Sequence, residues 1–324
     1  MSEHKEALVR ADGVKVYYPI RDRRGEVVKA VDNVSFQLYP GETFGVVGES
    51  GSGKSTLGRA LIGLEKLSEG SVRFGGRDVH GMNRAETKAF KRKAQIIFQD
   101  PSASLNPKKN IEQILAEPFE IHALEKGKAR REKMISLLKL VDLEEYFLSR
   151  FPHELSGGQK QRIGIARALA LEPDLMICDE AVSALDVSVQ AQVLNLMKDL
   201  QKELGLTYFF ISHNLNVVYQ ISDRVAVMYL GKILEMGSYR QIYQSQLHPY
   251  TKALLSAIPD VTGKTNGNRI RLKGEIPSPS NPPAGCRFHT RCPYCQDLCR
   301  QREPELRELE QDHLVACHFA QFTE

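Results

Sequence analysis

Residues 48–56 read Gly48-Glu49-Ser50-Gly51-Ser52-Gly53-Lys54-Ser55-Thr56. Glycines at this spacing let the backbone turn tightly enough for successive N–H groups to converge on an anion. Lys54 adds a point charge, the Ser55 hydroxyl suits Mg²⁺, and a helix starting near Lys54 aims its positive end at the same place. The context agrees. Thr43-Phe44-Gly45-Val46-Val47 is an apolar strand, and Thr56 to Ile62 has helical character. The loop predicts a triphosphate cradle formed by Gly48, Ser50, Gly51, Gly53, Lys54, Ser55 and Thr56.

Four further stretches carry chemistry. Leu155-Ser156-Gly157-Gly158-Gln159 is a second backbone-rich element, whose glycines open a helix and so present an anion site. Asp179 and Glu180 follow the apolar run Leu175 to Cys178, at the strand end where open α/β sheets bind ligands. Adjacent strand residues point to opposite faces, so Asp179 is expected to hold Mg²⁺ and Glu180 to polarise the attacking water. The bland alternative is a helix cap. His213 ends the strand Tyr208 to Ser212 and is placed to reach a γ-phosphate oxygen. Gln99 sits at another strand-to-loop junction, where a neutral amide can reach Mg²⁺ or water.

Around these motifs the texture shifts twice. Residues 1 to about 95 are β-rich, about 100–170 are helical, and strand–helix–strand alternation follows through Val189 to Leu204. This predicts an α/β core over 1–240 with a helical insertion. From about 240, and above all from Pro259 to Pro283, the chain turns irregular. An extension over 241–324 is expected. No internal repeat is evident.

The 324 residues are 42% hydrophobic and 26% charged, ordinary values for a globular protein. A net charge of +4 gives no reason to expect nucleic acid. No apolar stretch approaches the roughly 20 residues of a membrane span, and the N-terminus lacks a signal peptide's apolar segment. A cytoplasmic chain that meets the membrane only through partners is expected.

The motif set, in this order, resembles the ATP-binding-cassette ATPases: Gly48 to Ser55, Gln99, Leu155 to Gln159, Asp179-Glu180, Ser183-Ala184-Leu185-Asp186 and His213. The resemblance spans about residues 8–240. It implies a P-loop α/β core with a β-rich subdomain, and a head-to-tail dimer in which Ser156, Gly157, Gly158 and Gln159 act in trans on the partner's γ-phosphate. Asp186 would lie at the dimer seam, Tyr18 would stack on adenine (with Tyr17 as the weaker candidate), and Lys54, Glu180 and His213 would be catalytic. Mg²⁺ would be held by Ser55, Gln99 and Asp179. Ala181 stands where the family usually has proline.

Three strings resemble the ATPase subunits of dipeptide and oligopeptide importers: Phe98 to Pro107, Val182 to Gln192, and His248-Pro249-Tyr250-Thr251 with Leu254-Leu255. That likeness implies two permease subunits, an external solute-binding protein, and a second cassette that is related but different, a homodimer being the alternative. It also implies a peripheral place on the cytoplasmic face of the membrane. A soluble cassette acting on nucleic acid or ribosomes is the competing reading; neither tandem cassettes nor a coiled coil supports it.

Five cysteines, Cys286-x5-Cys292-x2-Cys295-x3-Cys299-x17-Cys317, close the chain. A reducing compartment favours metal over disulfides. The spacing suits a four-thiolate [4Fe–4S] cluster, with Zn²⁺, helped by His289, His313 and His318, or free thiols as alternatives. The importer resemblance assigns Cys286, Cys292, Cys299 and Cys317 and leaves Cys295 spare.

Overall fold

The computed structural model describes residues 6–20, 25–257 and 270–320. Its strands, in chain order, are β1 (Val9–Pro19), β2 (Val27–Leu38), β3 (Thr43–Val47), β4 (Glu69–Phe74), β5 (Arg77–Asp78), β6 (Ala94–Ile97), β7 (Leu175–Asp179), β8 (Thr207–Ser212), β9 (Arg224–Tyr229), β10 (Lys232–Ser238), β11 (Arg307–Glu310) and β12 (His313–Val315). The helices are α1 (Lys54–Leu61), α2 (Arg84–Lys93), α3 (Pro101–Ser104), α4 (Ile111–Ile121), α5 (Gly127–Leu140), α6 (Gly157–Leu169), α7 (Val187–Leu204), α8 (Leu215–Ile221), α9 (Tyr239–Gln244), α10 (Pro249–Ser256) and α11 (Asp297–Gln301). Pro259 to Asn268, much of the expected irregular stretch, lies outside the described residues.

The chain divides into two compact units. One is mostly Gly81–Ile211. Here β6, β7 and β8 run parallel, with Ile96 opposite Ile177 and Ile177 opposite Phe209. Every residue of β7 and β8 is buried, the pattern of strands covered on both faces. Helices α3 to α6 occupy the stretch expected to be helical. Met134, Leu137 and Leu138 of α5 are buried. On α7, Val193, Leu196 and Leu200 are buried. Leu204 departs from the expected stripe and is exposed, because the helix stops there and Gly205 turns left-handed.

The other unit is built from Val9–Gln37, Thr43–His80 and Ser212–Glu324. An antiparallel sheet runs in the order β2-β1-β4-β5. β3 pairs in parallel with β9, which continues antiparallel through β10 and β12 to β11. Two helices interrupt the region read as β-rich. The first, α1, was expected from the loop. The second, α2, is marked only by its Asn83–Glu86 capping box and three basic residues in its last turn.

A candidate nucleotide-hydrolysing site

The phosphate loop closes on its own lysine. Lys54 Nζ donates to the carbonyls of Gly48 and Glu49, both at 2.9 Å, and is 5% exposed. α1 begins at Lys54, as the motif required. Gly53, which precedes it, has φ 99, and a Cβ there would lie 2.0 Å from the Ala30 carbonyl oxygen. No other residue fits, so the helix starts without a side-chain cap and its first N–H groups stay directed at an anion.

Strand alternation separates the two tyrosines of β1. The Tyr17 hydroxyl donates to Asp32 Oδ1 at 2.5 Å, which engages its polar end. Tyr18 is 36% exposed, a flat apolar face open for stacking. Asp32 also pairs with Arg287 and lies 3.8 Å from Lys232 Nζ. Burial pushes its carboxyl up, but the Tyr17 hydroxyl and the cations outweigh that and hold it below the usual carboxylate range.

In the first unit, Asp179 ends β7 and is 4% exposed. Glu180 is not a strand residue, which corrects the expectation that alternation divides the two acids. It adopts φ 50, in the left-handed region, with its N–H on the Ile211 carbonyl at 3.0 Å. The backbone turn parts the two carboxylates. Gln99 Nε2 donates to Glu180 Oε2 at 2.9 Å. The turn needs no proline, because the Ser183 N–H and hydroxyl both bond the Glu180 carbonyl, at 3.1 and 2.9 Å. The bland reading of the acids as a cap for the next helix fails, since Asp186 caps α7 through the Val189 N–H at 3.0 Å. The Ser188 hydroxyl, first, and that N–H lower the Asp186 pKa.

Ser156 caps α6, accepting the Gln159 N–H at 3.3 Å while the Gln159 side chain returns to the Ser156 N–H at 2.9 Å. A Cβ at Gly158 would lie 2.4 Å from Val189 Cγ1, so this glycine also permits close packing against α7. His213 follows β8 directly and is exposed.

The tail gathers four of its five cysteines. Cys286, Cys292, Cys299 and Cys317 line one cavity of about 20 Å³ with Phe288 and Phe319 on its walls, and Cys295 is left out. Burial, then the neighbouring thiols, push Cys286 up to about 12 and Cys292 up to about 11. Among the described residues, no group of three or more His, Cys, Asp or Glu side chains is disposed to hold a metal ion. A metal centre, expected from the spacing, is therefore not part of the observed fold. His313 has another task, since its Nε2 meets Glu235 at 2.8 Å. Cys178 lies buried inside β7, as expected of a packing residue.

Comparison with known proteins decides the family. Residues 31–183 match the ABC transporter family and residues 234–299 the oligopeptide/dipeptide transporter C-terminal region. The chain is 52% identical to the oligopeptide transport ATP-binding protein AppF of Bacillus subtilis, across 97% of this chain and 98% of that protein. It is 52% identical to the dipeptide transport ATP-binding protein DppF of Haemophilus influenzae, across 96% of each. It belongs to the ABC transporter ATPases, in the oligopeptide/dipeptide branch.

Solved cassettes agree. The dimeric cassette MJ0796 bound to ADP and Pi matches with TM-score 0.64 at 29% identity, across 72% of this chain and 99% of that one. For cbiO1 of Clostridium perfringens the figures are 0.65, 26%, 74% and 91%. The chain is thus an ATPase, and the reading as a soluble cassette for nucleic acid or ribosomes is set aside. Among the described residues no helix is long and apolar enough to cross a membrane. Sequence reading passed over Glu49, Asp32, Arg287 and Arg291; the only signal was a charged residue, Glu49, within a loop that needs none.

Proposed function

We propose that this ATPase drives import of dipeptides or oligopeptides. What carries the reading is a phosphate loop closed on Lys54 and opening into α1, in a chain whose tail matches the oligopeptide/dipeptide region. In this reading Gly48, Ser50, Gly51, Gly53, Lys54, Ser55 and Thr56 cradle the phosphates and Tyr18 stacks on adenine. Ser55, Gln99 and Asp179 would hold Mg²⁺, which supplies charge to the β- and γ-oxygens.

Glu180 accepts the proton of the attacking water, and its bond to Gln99 orients the carboxylate for that role. Lys54 and His213 stabilise the γ-phosphoryl oxygens. Ser156, Gly157, Gly158 and Gln159 complete the partner's site in a head-to-tail dimer, with Asp186 at the seam. Closing and opening of that dimer would move the membrane partners between two states.

The partners are a second cassette, related but different, two permease subunits and an external solute-binding protein. The chain would sit at the cytoplasmic face of the membrane. The nucleotide-binding core would occupy 1–240 and the extension 241–324. We further read Cys286, Cys292, Cys299 and Cys317 as ligands of a [4Fe–4S] cluster, with Zn²⁺ as the alternative. Four thiols and no carboxylate facing one cavity suit soft iron–sulfur chemistry. The cavity is small, so loading requires its walls to part. The group would supply a covalent clip for the tail.

The test is uptake of labelled di- and oligopeptides by cells carrying either the native chain or Glu180→Gln. Loss of uptake with the variant is expected. Unchanged peptide uptake, with the variant confirmed inactive in ATP hydrolysis, overturns the transport reading.

A further inference from the structure

The cysteine-lined tail reaches back to the phosphate loop. Arg291, between Cys286 and Cys292 in sequence, places Nη1 2.6 Å and Nη2 3.1 Å from the two carboxylate oxygens of Glu49. Glu49 is the second residue of the loop. Its own N–H donates to the Tyr250 hydroxyl at 3.0 Å, from the first turn of α10. The Arg291 side chain is 8% exposed and that of Glu49 26%. The guanidinium lies 5.9 Å from the Tyr229 ring centroid. A bidentate fork of this kind fixes orientation as well as cancelling charge.

A second arginine, four residues earlier, does the same on the other side of the nucleotide site. Arg287 pairs with Asp32, which holds the Tyr17 hydroxyl, and its Nη1 donates to the Leu230 carbonyl at 2.7 Å. Leu230-Gly231 joins β9 to β10, and the Gly231 N–H bonds Ser52 of the phosphate loop at 3.0 Å. The tail thus touches the loop at Glu49 and, through this turn, at Ser52.

An uncompensated carboxylate within a phosphate loop repels a triphosphate. We propose that Arg291 and Tyr250 are positioning residues for ATP: they neutralise and orient Glu49, so that the cysteine-lined tail sets nucleotide affinity. This rests on the reading of Gly48 to Thr56 as the nucleotide site.

The test titrates the full chain, purified without oxygen, with ATP, ADP and adenosine, alongside melting curves. Arg291→Ala should weaken ATP about tenfold, ADP less and adenosine not at all, and adding Glu49→Gln should return ATP affinity to within about threefold of native. A variant whose tail merely unfolded would lose all three ligands together, and removing a second charged group would not rescue it. Either outcome overturns the proposal, as does native ATP affinity in Arg291→Ala. If Arg291→Ala fails to fold, Arg291→Lys keeps the charge but loses the fork. It should show a smaller ATP-selective loss, again relieved by Glu49→Gln; no relief overturns the proposal. Tyr250→Phe should weaken ATP and ADP alike, and an unchanged affinity removes Tyr250 from it. Lys54→Ala separates the two readings. If it leaves ATP binding intact, the nucleotide site itself is misplaced. If it abolishes binding while Arg291→Ala does nothing, only the proposal fails.

Discussion

Gln99 and Glu180 are joined by a 2.9 Å hydrogen bond from amide to carboxylate. The residue expected to approach Mg²⁺ is thereby also the one that orients the expected general base. Position within the γ-phosphate's neighbourhood and proton acceptance are coupled in one contact.

Replacing Gln99 with Ala should therefore lower ATP turnover by about tenfold to a hundredfold, the cost of a catalytic group loosened by roughly an ångström. ATP affinity should change far less. Glu180→Gln should retain nucleotide and lose hydrolysis. Phosphate release set against equilibrium nucleotide titration checks both. Equal losses in affinity and turnover for Gln99→Ala would mean that it acts on binding alone.

Gly158→Ala forces a methyl against Val189 Cγ1, 2.4 Å away. Overpacking costs about 1–3 kcal/mol, more than the ~1 kcal/mol a helical Gly→Ala returns. The variant should melt lower. With Val189→Ala in the same chain the clash is gone and the sign should reverse. Thermal denaturation of the single and double variants reads this directly.

Iron, acid-labile sulfide and zinc per chain, measured after anaerobic purification, test the tail. Cys292→Ser should lose the metal and Cys295→Ser should keep it, because only Cys292 borders the common cavity. Equal loss from both would break the division between four ligands and a spare. Zinc without iron would leave a structural clip.

His248 is buried and caps α10 by accepting the Tyr250 N–H at its Nδ1, 3.0 Å away. Burial, opposed by Glu235, pushes it down to about 4. The unfolded chain therefore takes up a proton near pH 6.5, and the folded chain does not until about pH 4. Stability from this residue is complete above pH 6.5 and falls with pH across that window, by up to about 1.4 kcal/mol per unit. Asn at 248 keeps a capping oxygen without titrating. Its melting temperature should depend less steeply on pH between 4 and 6.5 than that of the native chain. Parallel curves would contradict the assignment.

Much of this was legible locally. β7 announces itself as an apolar run ending in acids, α5 by its spacing, and α1 by the loop that precedes it. The hairpin β9–β10 was not read, since burial of nearly all its residues erases the two-residue alternation that marks a half-exposed strand. Its turn, Leu230-Gly231, has φ 45 and 79, a hairpin geometry in which leucine gives no warning. Glu180 was placed on a strand because nothing local signals a left-handed glutamate. The Glu49–Arg291 pair spans 242 positions. No windowed pattern can join residues so far apart; only the fold does.

One carboxylate, on Glu235, is wholly buried and receives the Leu247 N–H at 2.7 Å, the His248 N–H at 3.0 Å and His313 Nε2 at 2.8 Å. Every one of those partners lies beyond the point at which the nucleotide-binding core would ordinarily be said to finish. A chain shortened at Gln244 would leave an acid sealed in the interior with none of these three partners, a cost of several kcal/mol. The core and its extension share a keystone, and a minimal cassette cut from this protein would have to replace Glu235 before it could stand alone.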